Sequence, residues 1–112
     1  VCTASSMFRR RAAVTTGGWD LDVGHANDYA MYLKLAAQGA VVWTPEVLGR
    51  RRIHAGALTS PTNGMNVLLP TLLALAKTYT RRDELGLGAA AIAGLEARLA
   101  LVRQDILYAA SL

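Results

Sequence analysis

From Asn27 to Gln38 apolar residues recur at helical spacing. At about 100° per residue, Tyr29, Tyr32, Leu33, Leu35, Ala36 and Ala37 fill one continuous sector, while Lys34 and Gln38 fall opposite it. The pattern predicts an amphipathic helix that keeps Lys34 in solvent and stops at Gly39. Ala40–Thr44 then forms a continuous apolar run, the mark of a strand buried on both faces. After the Pro45-Glu46 turn, Val47–His54 reads as extended, and alternation sends Leu48, Arg50, Arg52 and His54 to one side. Val1–Arg9 reads as a short buried strand. Arg10–Val14 can make about one helical turn, which Thr15-Thr16-Gly17-Gly18 would end.

The second half changes period. Thr59–Gly64 is polar and turn-rich and marks a boundary. Met65–Thr80 is apolar with Pro70 inside it, which predicts a kink or a late helix start. Arg81–Glu84 is a charged connection. Leu85–Leu112 places Leu95, Leu99, Val102, Ile106 and Leu107 three and four residues apart or adjacent, as an amphipathic helix does. Gly86, Gly88 and Gly94 weaken its first half by about 1 kcal/mol each relative to Ala. The two segments are expected to pair as antiparallel helices, with Leu99 in their seam. The fold class expected is therefore α/β over residues 1–62, followed by a helical tail over 63–112.

Composition narrows the function classes. The 112 residues are 53% apolar and 18% charged, a globular balance. The net charge is +4, and every base except Lys34 and Lys77 is arginine. Arg9-Arg10-Arg11 and Arg50-Arg51-Arg52 suit phosphate or diphosphate through forked hydrogen bonds, but each taken alone reads first as a solvated surface run. Nucleic acid is not expected as a partner: one Phe, no aromatic residues among the arginines, and no zinc or helix-turn-helix signature. Cys2 is the single cysteine, so no internal disulfide or cysteine metal site exists, and a buried thiol is expected. The first residues lack the basic and apolar regions of a signal peptide, and the apolar runs are too short for a span of about 20 residues. The chain opens on Val1 with a strand already under way, which predicts a fragment that has lost its N-terminal portion.

Two residues invite chemistry. Asp28 opens the first strong helix on the border of its apolar face, where partial desolvation suits a general base; Asn27 or Asp28 could instead cap the helix. Trp19 leaves the Gly17-Gly18 turn as a large flat aromatic, able to fill a core or to face a sugar ring or lipid.

Three pieces occur in order: Gly17-Gly18-Trp19-Asp20; Asn27-Asp28-Tyr29-Ala30-Met31-Tyr32-Leu33-Lys34-Leu35-Ala36; and Pro45-Glu46-Val47-Leu48 running to Arg52-Ile53-His54. Together they resemble the C-terminal half of the catalytic domain of family 2 glycosyltransferases, the inverting GT-A type. That family shows a Gly-Gly-aromatic-Asp turn, a Glu-Asp pair opening a helix, and a Pro-Glu-x-Leu strand ending in Tyr-Arg-x-His. The resemblance covers Ser5 to about Ser60 and implies a partial GT-A layer. It implies Asp28 as the base that deprotonates the acceptor hydroxyl. It implies Gly17, Gly18 and Trp19 at the acceptor, and Arg52 and His54 at the diphosphate or its metal. A divalent cation, Mg or Mn, is implied as cofactor, although the Asp-x-Asp motif that holds it in the family is absent. The implied partners are a nucleotide-sugar donor and a glycan or lipid-linked acceptor. The implied location is the cytoplasm, with peripheral association at the inner face of the membrane left open.

The sequence departs from the family at two matched positions. Asn27 replaces the first acid of the Glu-Asp pair, and Arg51 replaces the Tyr of Tyr-Arg-x-His. The nucleotide-binding strands are also missing, so the chain alone is expected to be inactive. A non-catalytic remnant, or a helical binding or scaffold domain, is the competing expectation.

Overall fold

The computed structural model describes residues 3–50, 52–54, 56–57 and 64–111. Cys2, Arg51 and the boundary stretch from Thr59 to Asn63 lie outside these residues, as do the first two positions of the N-terminal strand expected from sequence. A short 3-10 turn at Thr3–Ser5 leads to helix α1, Arg10–Thr15. A second 3-10 segment, Leu21–Ala26, runs directly into α2, Asn27–Gln38. Helices α3, Gly64–Thr80, and α4, Ala89–Ala110, complete the chain.

No strand forms among the described residues, so the expected α/β fold and its partial GT-A layer are corrected to an all-helical arrangement. The reason is partnership. A strand is held by the ladder to its neighbour, and an apolar run without a neighbour leaves its N–H and C=O groups to water. Residues 6–9, 40–44 and 47–50 are irregular, and the expected buried run is open to solvent, with Val42 87% and Trp43 80% exposed. Leu48, Arg50, Arg52 and His54 therefore share no sheet face.

The core lies where α3 meets its neighbours. Val23, Ala26, Ala30 and Ala74 bury together where the Leu21–Ala26 segment, α2 and α3 cross, and small alanines allow that close approach. On α3's other side, Leu75 buries with Leu95 and Val102 of α4, flanked by Leu68, Leu72, Tyr79, Leu99 and Ile106. The helical tail thus pairs as its spacing predicts. Val102 occupies the centre of the seam at 1% exposure, whereas Leu99 is only partly buried and Leu107 is 61% exposed. The end of α3 meets the start of α4 through the Tyr79 hydroxyl, which donates to Glu96 Oε1 at 2.9 Å.

Gly86 acts as its chemistry directs, whereas Pro70 does not give the late helix start expected of it. Gly86 takes φ +64° in the α3–α4 connection, a conformation that delays the start of α4 to Ala89. Pro70 is accommodated within α3 rather than at its start; one residue on, the Thr71 hydroxyl donates to the Val67 carbonyl at 2.7 Å.

Candidate functional site

The Gly17-Gly18 turn is a helix cap. Gly18 N–H donates to the Ala13 carbonyl at 2.9 Å and Gly17 N–H to the Val14 carbonyl at 3.0 Å, the paired bonds of a Schellman motif. Gly17 and Gly18 take φ of +82° and +73°, which side chains resist. The cap delivers Trp19 half-exposed, with its ring edge-on to Phe8 at 6.3 Å between centroids.

What holds this turn is a lysine expected in solvent. Lys34 is only 4% exposed; its ammonium donates to the Gly18 carbonyl at 2.6 Å and to Asp20 Oδ1 at 3.0 Å. Trp19 is thus bracketed by the two residues one ammonium grips. Asp20 Oδ2 also lies 3.9 Å from Lys77 of α3, whose ammonium reaches both oxygens of Asp22 at 2.8 Å. The hydrogen bond from Lys77 holds the Asp22 carboxyl below its ordinary range, against a smaller opposing effect of desolvation. The buried face of α2 is accordingly Ala30, Met31 and Lys34, a correction to the sector drawn from apolar residues alone. A wheel that scores charge as solvent cannot see a buried ion pair. The available signal was complementarity: Lys34 is the only base in α2, and Asp20 and Asp22 precede that helix with no lysine or arginine near them in sequence.

Asp28 sits in the first turn of α2, half-buried, and does not cap it: the residue before the helix is Ala26, with no side-chain cap bond. Its Oδ1 accepts the Tyr29 N–H at 2.7 Å and its Oδ2 accepts the Thr3 hydroxyl at 2.7 Å. Negative charge is favoured at this end of a helix. A carboxylate offers about four acceptor directions, so both oxygens keep free lone pairs for a proton. One turn along α2 the Tyr32 hydroxyl is buried without a partner. Thr3 is a neighbour of the candidate base that sequence reasoning did not single out, whereas helical spacing already set Tyr32 beside it.

Gly17, Gly18 and Trp19 share one tied unit with the helix that carries Asp28. Arg52 and His54 do not join it. Both lie in exposed irregular chain, and among the described residues neither forms a hydrogen bond or ion pair with Asp28. The His54 carbonyl accepts the Ala57 N–H at 3.0 Å, a local turn. Among the described residues no three His, Cys, Asp or Glu side chains gather as a group that could hold a metal ion. An apolar cleft of about 240 Å³ opens between α2, α3 and α4, lined by Tyr29, Leu33, Leu75, Leu95 and Arg98; Asp28 does not line it. Among the described residues no helix is long and apolar enough to cross a membrane. No family model, curated protein or solved structure matches the chain.

Proposed function

We propose that this chain supplies the acceptor side of a glycosyltransferase site, transferring a sugar from a nucleotide-diphosphate sugar to a hydroxyl with inversion. The observation that carries the reading is the tie between the Gly17–Asp20 turn and the Asp28 helix, two of the three pieces of the resemblance, through Lys34. In a single displacement Asp28 takes the proton as the acceptor oxygen attacks the anomeric carbon and the diphosphate leaves from the opposite face. Trp19 borders the acceptor. The leaving diphosphate needs cationic or hydrogen-bonding stabilisation. Arg52 and His54 are the proposed suppliers, and they would have to be brought to the site. No step runs through a metal held by the described residues.

The second reading, a non-catalytic helical binding domain, is favoured by the helical fold and by the hydrogen bonds Asp28 already makes. The two are separated by assaying the protein translated from the complete reading frame with nucleotide sugars and following the anomeric proton of the product by NMR. Transfer with inversion supports the enzyme. Transfer with retention overturns the single displacement from Asp28, and no transfer from any nucleotide sugar supports the binding domain.

A further inference from the structure

We propose that Lys34 is a positioning residue: it sets the Gly17–Trp19 turn in register with Asp28, so that an acceptor resting on Trp19 presents its hydroxyl to the base. The proposal rests on the glycosyl-transfer reading for its consequence and on geometry for its cause.

The Schellman cap fixes Gly17 and Gly18 relative to α1 through their N–H groups, and the Gly18 carbonyl is directed to Lys34. Trp19 follows without a regular element of its own, and Asp20 is outside the 3-10 segment that begins at Leu21. The Lys34 ammonium closes this gap by holding Gly18 at 2.6 Å and Asp20 at 3.0 Å, one residue on each side of Trp19. Lys34 and Asp28 stand on one continuous helix, so their separation is set by the α2 backbone. The Thr16 hydroxyl also reaches the Met31 sulfur of α2 at 3.6 Å and Phe8 packs on the indole, but Lys34 alone grips the backbone and side chain on both sides of Trp19. An apolar residue would fill the buried position without the desolvation cost of a charge. An ammonium adds direction there, because its donors demand acceptors at defined places. Lys77 reaches Asp20 only at 3.9 Å and is already committed to Asp22, so it does not substitute for Lys34.

The test separates positioning from folding and from catalysis. In a Trp43→Phe background Trp19 is the sole indole, so acrylamide quenching reports on it alone. Lys34→Met removes the ammonium and keeps a long apolar side chain; Asp20→Asn keeps shape and weakens the grip, and it decides the matter if Lys34→Met loses its helical circular dichroism. The expected result is quenching of Trp19 that rises towards that of free tryptophan while helicity is retained. In the complete enzyme the same variants should raise the acceptor KM by roughly tenfold with little change in donor KM, and Lys34→Arg should recover part of the loss. Unchanged Trp19 quenching in the folded variants overturns the proposal, as does an equal rise in both KM values. If no transfer is detected in the parent protein, the glycosyl-transfer reading fails, and the quenching measurement still decides whether Lys34 positions the turn.

Discussion

Lys34 and Asp20 show why single residues decide this fold's local geometry. A buried ammonium is tolerated only with partners, and Lys34 has a carbonyl and a carboxylate. Two outer pairs carry pH signatures of opposite sign. The Asp22 carboxyl is lowered, mainly by its hydrogen bond from Lys77. The unfolded chain therefore binds that proton more readily, so the stability contributed is full above about pH 4 and is lost as pH falls through the lower folded value. Thermal melts of Asp22→Asn should show a deficit at neutral pH that closes in acid; a deficit constant with pH would contradict this. Tyr79 is raised by its hydrogen bond to Glu96, then by the charge of that carboxylate and by desolvation, with the Arg82 cation opposing. Its contribution is full below about pH 10 and fades as pH rises through the folded value. Tyr79→Phe should thus be less stable than the parent at neutral pH and converge with it in strong alkali.

At the scale of elements, what could be read and what could not divide along a physical line. Helices close their own backbone hydrogen bonds, so Asn27–Gln38, the α3–α4 pair and the Leu95–Val102–Ile106 stripe were visible in local spacing. Strands depend on a partner elsewhere, so Val41–Thr44 carried strand composition without a strand. Asp28 and the Gly17–Trp19 turn were legible as candidates because residue type and helix position mark them. The Lys34 bond was not, because charge was equated with solvent, and Arg52 and His54 were grouped only by an alternation that needs a sheet. The seam makes a quantitative contrast. Val102→Asp puts an unpaired charge at the centre of the α3–α4 contact and should cost about 3 kcal/mol or more in chemical denaturation. Leu107→Asp on the exposed side should stay within about 0.5 kcal/mol of the parent. Equal losses would mean that α4 does not pack through its Leu95–Val102 face.

The whole molecule is looser than its length requires. Its radius of gyration is 15.0 Å, against about 13 Å for a compact chain of this size. The irregular stretch carrying Val41, Val42, Trp43, Val47 and Leu48 leaves all five side chains largely exposed. Contiguous apolar surface of this kind drives association. Sedimentation equilibrium should therefore show a mass that rises with concentration, and Val42→Ser with Trp43→Ser should reduce it; a monomer at every concentration would contradict that expectation. Catalysis can be tested more directly than assembly. Asp28→Asn keeps the size of the side chain and one acceptor oxygen for the Tyr29 N–H, lets its amide donate to the Thr3 hydroxyl oxygen, and removes the base. Turnover and melting temperature are measured on the same preparation of the protein from the complete reading frame. A base at Asp28 predicts a fall in kcat of about 10²–10⁴-fold with the melting temperature nearly unchanged. Near-parental turnover together with a lowered melting temperature would show that Asp28 serves the helix and not the reaction.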